Sequence, residues 1–157
     1  MTPPFPFAPR AAAIMVRHMT QPSVLFVCLG NICRSPAAEA VVRSLAPHWT
    51  LDSAGTGRWH IGEPPYTAMQ DAARKRGIDM SDLRARQFTR ADFGRFDLIL
   101  CMDSDNLETV LDMQPKGDTT EVRLFADGPV PDPYYSRDFE GCLNIIQQAA
   151  EKLVSGR

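Results

Sequence analysis

The chain has 157 residues, 17 Lys and Arg against 19 Asp and Glu, and a formal net charge of −2. That length predicts one domain able to bury a core without disulfides or metals, and a near-neutral balance with no basic run excludes an electrostatic nucleic-acid partner. No window is apolar for long enough to cross a bilayer, and Cys28, Cys33, Cys101 and Cys142 are scattered rather than spaced as a secreted disulfide framework, which points to a reducing, cytoplasmic setting.

In chain order, residues 1–22 carry prolines at positions 3, 4, 6, 9 and 22 and no usable periodicity, and read as a flexible extension ahead of a domain over 23–157. Val24 to Val27 read as a buried strand ending at Cys28, with Ser35 and Pro36 as the cap and first residue of a helix. A second strand is predicted over Thr50–Ala54, a third over Leu98–Met102 and a fourth over Glu121–Phe125. Between them Tyr66–Arg76 carries Met69, Ala72 and Ala73 at helical spacing and stops at Gly77. The last helix repeats Phe139, Cys142, Leu143, Ile146, Ala150, Leu153 and Val154 on one face. The alternation predicts an α/β single domain: a four-stranded, mostly parallel sheet with helices on both faces and ligands bound beyond the carboxyl ends of the strands. Cys28 sits at such an end.

The segment Cys28-Leu-Gly-Asn-Ile-Cys33-Arg34-Ser35-Pro36 is therefore a short strand-to-helix loop. Such a loop aims backbone N–H groups at one point, and the helix behind it adds the positive end of its dipole, so an oxyanion is bound without a metal. Gly30 offers conformational freedom and Asn31 tolerates the left-handed region. The same field favours ionised Cys28, a thiolate nucleophile at the floor of a phosphate cradle, and the Arg34 fork holds two phosphoryl oxygens at once. A buried filler cysteine or a metal pair does not explain the Gly-Asn turn, the Arg-Ser sequel and the helix start together. A Walker-type nucleotide loop would need a glycine-lysine pair where this chain has Cys33-Arg34.

With these residues the chain resembles the low-molecular-weight protein tyrosine phosphatases, whose signature is a cysteine, five residues, an arginine and a serine near the start of the domain. Asp52-Ser53-Ala54-Gly55-Thr56, Ala85-Arg86-Gln87, the run from Phe96 to Asp103, Asn106-Leu107 and Asp132-Pro133-Tyr134-Tyr135 follow in the family's order, so the resemblance spans about residues 23–155. It implies hydrolysis of phosphotyrosine through a phosphocysteine on Cys28, with no cofactor or metal, tyrosine-phosphorylated proteins as partners and inorganic phosphate as product. Asp132, in a loop stiffened by two prolines, becomes the acid that protonates the leaving group and the base that activates water. Leu29, Gly30, Asn31, Ile32, Cys33 and Ser35 would line or build the phosphate site, with Ser35 steadying the thiolate, Asn31 and Ser53 propping the loop from behind, and Trp59 and Tyr134 walling the ring.

The resemblance further implies that oxidation can join Cys33 to Cys28, and that the Tyr134-Tyr135 pair can be phosphorylated. One departure is Asp82, where many relatives carry a histidine that braces the loop. Two rivals share the fold. Thiol-dependent arsenate reductases need two further cysteines close together, a pair this chain lacks. Protein arginine phosphatases carry threonine where this chain has Ile32, whose bulk favours a phenyl substrate.

Overall fold

The computed structural model describes residues 21–156. The expected extension over 1–22 thus lies outside the described residues except for its last two. Pro22 is buried, and its carbonyl accepts the Thr50 N–H at 3.2 Å.

Strand β1 (Ser23–Cys28) is central because its side chains are apolar on both faces. It pairs in parallel with β2 (Thr50–Gly55) on one side and β3 (Leu98–Cys101) on the other, and β3 pairs in parallel with β4 (Glu121–Leu124). The sheet order is β2-β1-β3-β4 and every pairing is parallel, as expected for strands separated by helices. Each predicted strand is present, within a residue or so of its expected ends.

Strand side chains alternate between two cores. Val24, Phe26, Leu98 and Leu100 meet Val41, Val42, Leu143, Ile146 and Ala150 of helices α1 (Arg34–Leu45) and α5 (Phe139–Ser155) on one face. Leu25, Val27, Ile99 and Cys101 meet Val110 of α3 (Ser104–Met113) and the rings of Phe88, Phe93 and Phe96 on the other. Helix α2 (Thr67–Arg74) buries Met69, Ala72 and Ala73, and Gly77 beyond it takes φ +77°, the left-handed value that makes glycine a good stop there. A single turn, α4 (Pro133–Ser136), precedes α5. Among the described residues, no helix is long and apolar enough to cross a membrane.

The start of α1 differs from the expectation. Cys33 is its N-cap and Ser35 lies within the helix, with no side chain capping the end. The Ser35 hydroxyl is taken by stronger partners, the Cys28 sulfur at 2.9 Å and the Asn31 amide at 2.8 Å. The uncapped N–H groups are left to whatever occupies the loop in front of them.

Candidate active site

The loop between Cys28 and Arg34 is held by its carbonyls. Cys28 C=O accepts Thr56 N–H at 2.9 Å, Leu29 C=O accepts Gly57 N–H at 2.9 Å, and Ile32 C=O accepts Tyr66 N–H at 2.8 Å. In a planar trans peptide the next N–H points the opposite way, so the N–H groups of Leu29, Gly30 and Cys33 turn from the scaffold toward the mouth of the loop. None of the three has a protein acceptor among the described residues. This is a ring of donors shaped for an oxyanion.

Asn31 adopts the left-handed φ of +56° that its type tolerates. Gly30 does not, so its expected conformational role is corrected. A Cβ there would lie 3.1 Å from His60 Cδ2, a tight contact that the His60 ring would have to yield to. Gly55 is tighter still, because a Cβ would come within 2.7 Å of the Leu29 carbonyl oxygen and push the loop off the end of β2.

Cys28 is buried at the floor, receiving the Asn31 N–H at 3.2 Å as well as the Ser35 contact. Behind it, Asn31 Nδ2 donates to Ser35 Oγ and Ser53 Oγ, Asn31 Oδ1 accepts the Arg86 N–H at 3.0 Å, and Ser53 Oγ donates to Glu39 Oε1 at 2.7 Å. Asn31, Ser35 and Ser53 thus lie behind the loop, not in its mouth. Asp82 is exposed at the surface, and this prop runs through Ser53, Glu39 and Arg86 instead. Arg86 is itself locked to Asp52 at 2.9 Å and to buried Asp92 at 2.9 Å.

Glu39 was not anticipated, although a carboxylate four residues after Ser35 on a helix's inner face is a signal. Burial pushes its carboxyl above the ordinary 4.5, against the lowering hydrogen bonds from Ser53 and Arg43. A raised native value means the folded state holds the proton longer than the unfolded state. The resulting stabilisation is complete below about pH 4.5 and is lost as pH rises through the native value. Glu39→Gln, which carries no charge, is therefore expected to gain stability relative to the parent as pH increases across this window. Thermal melts of both proteins from about pH 4 to 8 will check it, and parallel curves would contradict it.

Arg34 is 3 % exposed and enters the site at the start of α1. Its Nη1 donates to Asp103 Oδ2 at 2.7 Å and to the Val130 carbonyl at 3.0 Å, while Nη2 reaches Asp132 Oδ2 at 3.4 Å. Burial alone would lower its pKa, but the negative groups of Cys28, Asp103 and Asp132 outweigh it and hold the guanidinium above its ordinary value. Asp103, at the end of β3 and N-cap of α3, is a second residue the sequence reading did not single out for the site.

A cavity of about 270 Å³ opens over the loop, lined by Cys28, Leu29, Gly30, Ile32, Cys33 and Arg34 below and by Trp59, His60, Asp132, Tyr134 and Tyr135 around the rim. Trp59 is 70 % exposed on the loop after β2, not a core residue, and Gly57 leaves the space its ring occupies. Asp132 is N-cap of α4, its Oδ1 accepting the Tyr134 N–H at 3.0 Å. His60 and Tyr135 join the rim without having been expected there. All four cysteines are free. Burial pushes the Cys33 thiol far up, reinforced by Cys28 and Asp132, and raises Cys101 and Cys142 to about 12.

The family model of the low molecular weight phosphotyrosine protein phosphatases matches residues 23–156. The chain is 41 % identical over 146 residues to the low molecular weight protein-tyrosine-phosphatase YfkJ of Bacillus subtilis, covering 85 % of this chain and 94 % of the relative. The YfkJ crystal structure superposes with a TM-score of 0.81 over 86 % of this chain and 93 % of that one. The rat low molecular weight phosphotyrosine protein phosphatase is 41 % identical over 150 residues, 83 % of this chain and 94 % of the relative. The crystal structure of a Drosophila arginine phosphatase also aligns, at 30 % identity and a TM-score of 0.79, over 83 % of this chain and 94 % of that one. With a match across nearly the whole described chain and the cysteine-arginine loop that such hydrolases use in place, this chain belongs to the low molecular weight phosphotyrosine protein phosphatase family.

Proposed function

We propose that this chain hydrolyses phosphotyrosine in proteins through a phosphocysteine on Cys28. The observation that carries the reading is the convergence of three groups on one cavity: Cys28 at its floor, the Arg34 guanidinium beside it and the Asp132 carboxyl at its rim. Loop N–H groups and Arg34 hold the equatorial phosphoryl oxygens, which carry the charge of the loose transition state. The Cys28 thiolate attacks phosphorus, the P–S bond forms as the P–O bond to the phenol breaks, and Asp132 gives its proton to the departing oxygen. In the second half Asp132 takes a proton from water, water attacks phosphorus, the P–S bond breaks and inorganic phosphate leaves.

The domain over 23–157 would be the whole catalytic unit, acting in a reducing, cytoplasmic compartment where the thiol persists. There, peroxide oxidation of Cys28 to the sulfenic acid would be followed by attack of the Cys33 sulfur, forming a disulfide and releasing water.

The rim favours an aryl substrate, since Trp59, Tyr134 and Tyr135 offer faces for a phenyl ring and Ile32 adds bulk at the loop. A second reading, phosphoarginine, follows from the likeness to the Drosophila arginine phosphatase. Hydrolysis of phosphotyrosine and phosphoarginine peptides, compared side by side in EDTA with a reductant, decides between them. Faster release from phosphotyrosine is expected, and preference for phosphoarginine would reverse the assignment. In the same assay Asp132→Asn is expected to slow phosphotyrosine turnover about 10²-fold or more, and unchanged turnover would remove Asp132 from the role.

A further inference from the structure

The turn that carries Asp132 has only four residues, and one turn of helix does not hold its own conformation. Its far end is Arg137, at φ +64° and ψ 11°, a left-handed backbone that favours glycine. A bulky residue persists in such a conformation only where its surroundings hold it.

The Arg137 side chain provides that hold. Its Nη1 donates to Tyr66 Oη at 3.1 Å and, at 3.4 Å, to the Tyr134 carbonyl within α4. Its guanidinium carbon lies 5.2 Å from the ring centres of both Tyr66 and Phe139, and those two rings stack at 5.8 Å. Tyr66 also meets the Tyr134 ring edge-on at 5.7 Å. At its other end, the Tyr66 N–H is bonded to the Ile32 carbonyl of the phosphate loop.

We propose that Arg137 is a positioning residue that clamps the acid-bearing turn to the phosphate loop through Tyr66, and so sets where Asp132 stands over the phosphoryl group. The inference rests on the reading of Asp132 as acid and base. A guanidinium suits the task because its planar fork can bond a hydroxyl and a carbonyl while lying against aromatic rings.

The test measures kcat/KM for aryl phosphates of graded leaving-group acidity, from p-nitrophenyl phosphate to phenyl phosphate. The proteins compared are the parent, Arg137→Gly, Arg137→Lys, Asp132→Asn and the double variant that carries both Arg137→Gly and Asp132→Asn. Glycine relieves the left-handed backbone, so a residue that merely completes the turn would be replaced without loss. The clamp predicts instead that Arg137→Gly loses about tenfold on phenyl phosphate and much less on p-nitrophenyl phosphate, a scale set by small misplacements of a reacting group. It also predicts partial rescue by Arg137→Lys and no further steepening when Arg137→Gly is added to Asp132→Asn. Parent-like activity of Arg137→Gly, an equal loss on both substrates, or full additivity with Asp132→Asn would overturn the clamp while leaving the acid in place. If Asp132→Asn itself showed no leaving-group dependence, the reading of Asp132 would fall and the clamp with it.

Discussion

Replacing Cys28 by serine is expected to abolish turnover, by about 10⁴-fold or more, while leaving the fold and anion binding intact. The substitution exchanges sulfur for oxygen at a buried position held by the Ser35 hydroxyl and the Asn31 N–H, both of which a hydroxyl can satisfy. No packing is lost. Among the described residues only the Ser35 hydroxyl and the Asn31 N–H bond at this position, with no base to ionise a serine hydroxyl, so the donor ring around it would bind a phosphoryl group that nothing attacks. Steady-state hydrolysis of a phosphotyrosine peptide, paired with a phosphate-binding titration and a thermal melt, separates these effects. Residual activity within a factor of about ten of the parent would mean that another group is the nucleophile.

Arg34→Lys is expected to be nearly as damaging, with kcat/KM down about 10²- to 10³-fold, the range found when one preorganised transition-state donor is removed. In the proposed reaction Arg34 serves two sets of partners at once, its protein acceptors and the phosphoryl oxygens. Nη1 is committed to Asp103 and the Val130 carbonyl, which fix the plane of the guanidinium, and Nε has no protein acceptor among the described residues. A lysine ammonium keeps the charge but not the plane, so it can satisfy Asp103 or a phosphoryl oxygen but not hold both in a fixed orientation. The loss is expected in kcat as well as in KM, because the equatorial oxygens are held most tightly in the transition state. An effect confined to KM would show that Arg34 contributes only ground-state binding.

The residues alone point to what lies close along the chain, whereas Ser53, Trp59, Asp132 and Tyr134 come in through the family resemblance. Cys28, Asn31 and Arg34 belong to one loop, and the apolar runs of β1 and β3 mark strands buried on both faces. Ser35 is expected both to cap the helix and to steady the Cys28 sulfur; the fold has the sulfur contact, adds Asn31 Nδ2 as a partner of the hydroxyl and gives the N-cap position to Cys33. Helix α3 had no expected range, since its one turn of buried residues, Asn106 and Val110, is diluted by Asp105, Glu108 and Asp112. Asp103 is 69 positions from the arginine it orients, and Arg86 is 55 from the Asn31 carbonyl its N–H satisfies. Pairings at such separation come from the parallel sheet, which brings the ends of β1, β2 and β3 together, and no local pattern announces them.

The outward-tied carbonyls of the loop have a consequence for how the protein would respond to its surroundings. Thr56, Gly57 and Tyr66 tie the loop carbonyls outward, so under the proposed function the ring of donors would meet an incoming phosphomonoester and free orthophosphate alike. In the proposed reaction product and substrate would compete for one seat, so at a given substrate level the rate would fall as orthophosphate accumulates.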